Sequence, residues 1–176
     1  MAKLSHNITE VFYLISVEPV DAAAPDATVV REALEFALAQ RPSGKPLDPK
    51  HAQGIQGYDL WIRCLETGEW RKPGLPGVHH NVACWHECRC YAERFLRLAG
   101  EKLGGDLEPL FGEAADHYRT VRKALCEMQT IFVYEYPLPP VDEAGVARGV
   151  QLLRTAKEAE TKGLAIIETI VRKLRE

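Results

Sequence analysis

Apolar residues recur three and four positions apart over most of this 176-residue chain, which is the spacing of one face of an α-helix. The clearest stretch follows Asp106, which is expected to cap a helix. The apolar residues that define its inner face are Leu107, Leu110, Ala114, Tyr118, Val121, Leu125 and Met128. A last helix is expected after Asp142, with an inner face of Val146, Val150, Leu153, Leu164, Ile167, Val171 and Leu174. These two patterns predict a mainly α-helical protein.

Three earlier segments show the same periodicity. Residues 26–40 begin with Asp26, which is expected to cap a helix, and place Val30, Ala33, Leu34 and Ala37 on one face. Residues 57–68 form a short helix that ends at Gly68. A long helix is predicted from about residue 80 to residue 103, and its core stripe is Trp85, Cys88, Ala92, Phe95, Leu96, Ala99 and Leu103. We therefore predict one domain over residues 1–176, a helical bundle of about five helices.

Two segments have the composition of β-strands instead. Residues 10–18, "EVFYLISVE", are β-branched and aromatic at both alternating sets of positions, which is typical of a strand buried on two faces. Residues 131–136, "IFVYEY", are the other candidate. An isolated strand leaves backbone hydrogen bonds unmade. We therefore expect either a small hairpin between the two segments, or one N-terminal strand that pairs outside the bundle.

The overall composition excludes several classes of protein. The net charge of −3 is unlike that of a nucleic-acid binder, which usually carries a basic stripe. No apolar run approaches the roughly 20 residues that cross a bilayer, and the first ten residues do not resemble a secretory signal. The five cysteines are an odd number, which favours reduced thiols over a disulfide framework. These features predict a cytoplasmic protein that binds neither nucleic acid nor a membrane.

Histidines and cysteines are concentrated in residues 79–90, "HHNVACWHECRC". On a helical wheel they point in at least two directions, since His86 and Cys90 form one pair four residues apart and His80 and Cys84 form another. Either pair is a candidate for holding zinc or iron, but the paired CxxC and the HExxH that mark strong zinc sites are both missing. We therefore favour no metal or other cofactor.

Two other interpretations of this cluster are open. The first makes Cys84 and Cys88 small buried residues and leaves His79, His80 and His86 solvated or capping the helix. The second is a reactive thiol at Cys84 or Cys90, because a helix start and the nearby Arg89 both lower the pKa of a thiol.

Polar residues at positions where an apolar residue is expected give a stronger signal. Glu160 interrupts the inner face of the last helix, and Asn81 and Arg89 lie on or beside the stripe of the 80–103 helix. Burying such groups unpaired costs about 1–3 kcal/mol each, and more when they are charged. We therefore expect the charged atoms of Arg89 and Glu160 to lie within hydrogen-bonding distance, or to share a pocket with Asn81.

Aromatic residues suggest the walls of such a pocket. Trp61, Trp85 and Tyr118 lie on predicted inner faces of three different helices. The predicted ligand-binding residues are thus Asn81, Arg89, Glu160, Trp61, Trp85 and Tyr118. The alternative is a purely structural ion pair between Arg89 and Glu160 that braces the bundle.

The order of several segments resembles a family of bacterial proteins. The matching segments are "REALEFAL", "GIQGYDLWIRCLE", "HNVACWHECRCYAERFLRLAGEKL", "LFGEAADHYRTVRKALCEMQTIF" and "LLRTAKEAETKGLAIIE". The most specific pieces are Gly57-Tyr58-Asp59-x-Trp61, Asn81 with Glu87-Cys88-Arg89-x-x-Ala92-x-x-Phe95, and Ala114-x-x-x-Tyr118. Together they resemble the helical C-terminal part of proteins similar to butirosin biosynthesis protein H. In that family a papain-like or acyl-transfer domain precedes the helical part, and this chain has no match to it.

The resemblance and the residues together lead to two hypotheses about function. The resemblance implies an accessory domain that works beside a partner catalytic domain, and the polar residues on core faces predict a pocket for a small organic ligand. We favour a binding or accessory helical domain without catalysis of its own, because no catalytic triad, GxGxxG or P-loop is recognisable. The alternative is an enzyme that uses a buried set of His, Cys and Glu side chains, with or without a metal.

Overall fold

The computed structural model describes residues 26–39, 52–71, 77–135 and 137–176. These residues form five α-helices, which confirms the predicted helical bundle. The helices are α1 (Asp26–Ala39), α2 (Ile55–Thr67), α3 (Gly77–Leu103), α4 (Glu108–Ile131) and α5 (Glu143–Leu174). Two short 3₁₀ turns, Glu69–Arg71 and Gly105–Leu107, follow α2 and precede α4.

The three longest helices form the main body of the protein. Helix α4 packs along both α3 and α5, α2 packs against α5, and α1 packs against α5 and α3. Two hydrophobic clusters result. Helix α2 contributes Tyr58, Trp61 and Leu65 to the first cluster, and α1 contributes Val30 and Leu34 to the second. Since α3, α4 and α5 contribute to both clusters, α1 and α2 cover different parts of the same three-helix body.

The predicted inner faces of α4 and α5 are largely buried. On α4 the buried residues include Ala114, Tyr118, Val121, Leu125 and Met128, as expected from the apolar spacing. On α5 they include Val150, Leu153, Leu164, Ile167 and Val171. Glu160 is buried among them with 5% of its surface exposed. The helical period therefore identified the buried faces of these two helices correctly.

The predicted core stripe of α3 was partly wrong. Cys88 and Phe95 are exposed, whereas Val82, Leu96 and Ala99 are buried. The inward positions of α3 follow the spacing 82, 85, 89, 92, 96, 99, so the place expected for Cys88 belongs to Arg89. The helical wheel assigned the inward position to the small apolar Cys88, whereas the neighbouring Arg89 occupies it.

The ends of the helices are set by local chemistry. Helix α2 ends at Gly68, whose positive φ of 73° is a left-handed conformation that glycine adopts without strain. Asp142 caps α5, as predicted, because its Oδ1 accepts a hydrogen bond of 2.7 Å from the backbone N–H of Gly145. Asp106 was wrongly expected to cap α4. It lies within the 3₁₀ turn Gly105–Leu107, and α4 begins after that turn without a side-chain cap.

Asp142→Ala should lower the free energy of unfolding by about 1 kcal/mol, because the first turn of α5 loses its side-chain acceptor. Urea unfolding followed by circular dichroism measures this loss. Asp106→Ala is the matched control, since Asp106 caps no α-helix, and it should leave the unfolding midpoint nearly unchanged. Equal midpoints for the two variants would contradict the capping role.

The segment predicted as a second strand has a different structure. Ile131 is the last residue of α4, and residues 133–135 have no regular secondary structure, so the strand prediction was wrong there. Phe132 is buried, and its ring packs edge-on against Trp70. A Cβ on Gly149 would lie 2.7 Å from the Phe132 ring, so α5 has room for that ring only because residue 149 is glycine. Residues 10–18, the other predicted strand, lie outside the described residues.

No helix in the described part of the chain has the length and apolar character needed to cross a membrane.

Candidate functional site

An ion pair between α3 and α5 lies at the centre of the predicted site. Arg89 Nε donates to Glu160 Oε2 at 3.0 Å, and Arg89 Nη2 donates to Glu160 Oε1 at 2.6 Å. The two side chains therefore meet in the two-pronged geometry that is strongest for a guanidinium and a carboxylate. The prediction that their charged atoms lie within hydrogen-bonding distance is confirmed.

Helix α2 supplies a third member of this network, which was not among the predicted site residues. The hydroxyl of Tyr58 donates to Glu160 Oε2 at 2.6 Å, and Tyr58 is fully buried. Burial, followed by the negative charge of Glu160, raises the pKa of Tyr58 well above its usual value, so this hydroxyl stays protonated and remains a donor. Glu160 thus accepts three hydrogen bonds from two neighbouring helices.

The guanidinium of Arg89 stays charged at this half-buried position. Burial alone would lower its pKa, but the charge and hydrogen bonds of Glu160 more than offset that effect and raise the pKa above its usual value. The Arg89 Cζ atom also lies 4.6 Å from the centre of the Trp85 ring, in cation–π contact. Tyr58, Arg89, Glu160 and Trp85 therefore form one unit, which we call the Arg89–Glu160 network.

Trp61, the other predicted tryptophan, packs against Trp85 of this network. The Trp61 and Trp85 rings meet edge-on with centres 5.7 Å apart, and the Tyr58 and Trp85 rings meet edge-on at 5.2 Å. The indole Nε1 of Trp61 is buried and has no hydrogen-bond partner within the described ranges. Of the aromatic rings predicted as pocket walls, Trp85 contacts the ion pair directly and Trp61 packs on Trp85.

Asn81 does not belong to the network. The helical wheel placed this residue near the centre of the core stripe, but Asn81 is exposed. It also precedes Arg89 by eight residues, which is about 12 Å along a helix. Of the two predicted alternatives, the direct contact between Arg89 and Glu160 is the one observed, and we leave the exposed Asn81 out of the candidate site.

A separate apolar cavity of about 270 Å³ opens between α1 and α3. Its lining residues are Ala33, Leu34, Ala37, Tyr91, Ala92, Phe95, Leu96, Tyr118 and Ile167. Among the described residues that line it, none is charged, and the side-chain polar groups are the two tyrosine hydroxyls. Two of its lining side chains are exposed at the surface, Tyr91 at 64% and Phe95 at 37%. We call this feature the α1/α3 groove, and Tyr118 is the predicted site residue that lines it.

Tyr118 connects the groove with the Arg89–Glu160 network. It is buried on α4 and contributes to the electrostatic environment of both Tyr58 and Arg89. A Cβ on Gly163 would lie 3.1 Å from the Tyr118 ring, so α5 presses closely against the back of that ring. The floor of the groove therefore packs against α5, the helix that also carries Glu160.

Four of the histidines and cysteines in residues 79–90 of α3 form two separate pairs, as the helical wheel indicated. Nε2 of His80 lies 3.4 Å from Sγ of Cys84, and Nε2 of His86 lies 3.6 Å from Sγ of Cys90. None of the five cysteines, all of which lie in the described ranges, forms a disulfide. No three metal-ligating side chains come together in residues 26–39, 52–71, 77–135 and 137–176.

The observed exposure of the side chains contradicts part of the interpretation in which two cysteines of residues 79–90 are buried and the histidines are solvated or capping. Cys84 and Cys88 were expected to be small buried residues, but both are exposed. His79 was expected to be solvated or to cap the helix, but it is buried, and its Nδ1 lies 2.8 Å from the carbonyl oxygen of Val133. The loop after α4 therefore packs on the start of α3, which accounts for the burial of this histidine.

Comparison of the chain with protein-family models, curated proteins and solved structures finds no match.

Proposed function

We propose that this chain is a small-molecule-binding or accessory helical domain, without catalysis of its own, whose ligand occupies the α1/α3 groove. The observation that carries the proposal is the combination of an apolar cavity with large exposed apolar side chains at its rim. Contiguous exposed apolar surface is uncommon on a monomeric protein and typically marks a place where something binds.

The lining of the groove favours a small and largely apolar ligand. Ala33 and Ala37 lie one turn apart on α1, and Tyr91 and Phe95 lie one turn apart on α3. Small side chains facing aromatic rings leave a slot that suits a flat ring or a short hydrocarbon chain. The cavity of about 270 Å³ is slightly smaller than the roughly 300–1,000 Å³ typical of sites for drug-sized molecules.

The Arg89–Glu160 network supports a binding role more than a catalytic one. Glu160 already accepts three hydrogen bonds, and Tyr58 and Arg89 direct their donors to it. A satisfied network of this kind fixes the positions of the helices that carry it. Its role in the proposal is to keep Tyr118 and the groove in one shape, so that a ligand meets a preformed site.

The resemblance to the helical part of butirosin biosynthesis protein H-like proteins supports the wider form of the proposal. In those proteins a separate catalytic domain accompanies the helical part. Binding in the groove would then assist a reaction that takes place on a partner domain, and this chain would contribute recognition.

Filling the groove should abolish binding of an apolar probe. Ala37→Trp places a large ring in the slot, whereas Ala39→Trp adds the same ring to an exposed position of α1 that does not line the cavity. With the neutral fluorophore N-phenyl-1-naphthylamine, we expect saturable binding of one equivalent to the native chain and to Ala39→Trp. Binding to Ala37→Trp should be at least about tenfold weaker, a loss of roughly 1.4 kcal/mol or more in binding free energy.

Circular dichroism and the thermal midpoint serve as controls, since Ala37 is exposed and its replacement should not unfold the helix. The proposal fails if the folded native chain shows no saturable probe binding. It also fails if Ala37→Trp binds the probe with the same affinity as Ala39→Trp.

A further inference from the structure

His80 and Cys84 lie one turn apart on an exposed part of α3, near its start. Their side chains point to the same place, because Nε2 of His80 and Sγ of Cys84 are 3.4 Å apart. Zinc binds cysteine sulfur at about 2.3 Å and histidine nitrogen at about 2.0–2.1 Å, with tetrahedral angles. Two such ligands on one zinc ion lie about 3.5 Å apart, as those bond lengths and the tetrahedral angle require. The observed separation is therefore already that of two ligands of one ion.

We propose that His80 and Cys84 form a two-ligand surface site for Zn²⁺ or another divalent cation that prefers nitrogen and sulfur. The two residues lie on one rigid helix, so little side-chain reorganisation is needed when the ion arrives. On binding, the Cys84 thiol releases its proton to solvent and the thiolate and the neutral imidazole each donate an electron pair to the ion. Water or a group from a bound partner fills the remaining coordination positions.

The loop after α4 helps to hold the histidine in position. The ring of Tyr134 packs against the ring of His80, with centres 5.4 Å apart. The same loop holds the neighbouring His79 through the carbonyl of Val133. The Tyr134 contact restricts the His80 imidazole before any ion binds, which reduces the entropy lost on binding.

The second pair on α3 has the same spacing but a less favourable environment. Nε2 of His86 and Sγ of Cys90 are 3.6 Å apart, and the pair is half-buried. Burial raises the pKa of the Cys90 thiol, which makes the thiolate harder to form. The charges of Arg122 and Glu87 act on both residues with opposite sign, so burial is the main difference from the exposed pair. This pair is therefore a matched comparison within the same helix.

Titration of the reduced 176-residue chain with Co²⁺, a spectroscopic substitute for Zn²⁺, tests the site. We expect a thiolate-to-cobalt charge-transfer band in the near ultraviolet that disappears when Zn²⁺ is added. Cys84→Ala should remove the band, and His80→Ala should weaken Co²⁺ binding. Cys90→Ala should leave the band in place. Because His80 and Cys84 are exposed, their variants should keep the native circular dichroism spectrum.

Three results would overturn the assignment. The first is no charge-transfer band in the native chain. The second is a band that persists in Cys84→Ala, which would place the thiolate ligand at another cysteine. The third is loss of the band in Cys90→Ala with the fold intact, which would assign the site to the second pair.

Discussion

Glu160→Ala should lower the free energy of unfolding by about 3–5 kcal/mol, the usual cost of leaving one member of a buried ion pair without its partner. The truncation removes the acceptor for the two Arg89 hydrogen bonds and for the Tyr58 hydroxyl. Both groups are then left in a largely apolar part of the bundle. Urea denaturation followed by circular dichroism measures the loss.

Two controls separate this explanation from a general effect of removing a charge. Replacing both partners, as Arg89→Met with Glu160→Leu, should recover much of the lost stability, because no orphan charge remains. Glu127→Ala breaks an exposed pair with Arg148 and should leave stability nearly unchanged. If Glu160→Ala proves as mild as Glu127→Ala, the network does not support the fold as described.

Leu125→Ala should cost about 2–5 kcal/mol, the range for removing a large aliphatic side chain from a closed core. Leu125 lies on α4 with 0% of its surface exposed, in the cluster that also contains Leu153 and Phe132. The lost methyl groups leave a cavity that three packed helices cannot easily close. The same urea experiment measures the change.

Leu98→Ala removes the same atoms from a side chain that is about half exposed on α3, and it should cost less than about 0.5 kcal/mol. A loss below this level for Leu125→Ala would mean that α4 does not occupy the centre of the bundle.

The fold was largely predictable because the apolar period is long in α4 and α5. A helix that contributes to a core over many turns repeats its signal, so single exceptions do not hide it. The same repetition identified Glu160 and Arg89, since each interrupts an apolar stripe and a buried charge needs a partner. The pairing of Arg89 with Glu160 was predicted from the free-energy cost of burying either charge unpaired, without knowledge of how α3 and α5 pack.

Tyr58 was missed for a physical reason. A tyrosine on the inner face of a helix looks like an ordinary core residue, and its hydroxyl becomes significant only when a buried acceptor lies nearby. A carboxylate has more acceptor positions than one arginine fills, so Glu160 called for another donor. The need for a second donor to Glu160 could be inferred from the sequence, but the helix that supplies this donor could not.

Other errors arose where the helical wheel is ambiguous. Asn81 and Cys88 lie close to the buried stripe of α3 in angle, and the wheel cannot distinguish neighbouring positions without knowing where the other helices pack. The composition of residues 131–135 favoured a strand, but the burial of Phe132 against Gly149 gave those residues a different role. The α1/α3 groove depends on side chains from four helices, so no single stretch of sequence contains it.

The wide sequence separation within the Arg89–Glu160 network has a consequence for folding kinetics. Helices α3, α4 and α5 pack against their neighbours in sequence, and such contacts form early because they close short loops. The hydrogen bond from Tyr58 to Glu160 instead joins residues 102 positions apart. We therefore expect α2 to dock late, with most of its contacts formed after the transition state. Such contacts slow unfolding, so this hydrogen bond should lengthen the lifetime of the folded protein and leave its folding rate almost unaffected.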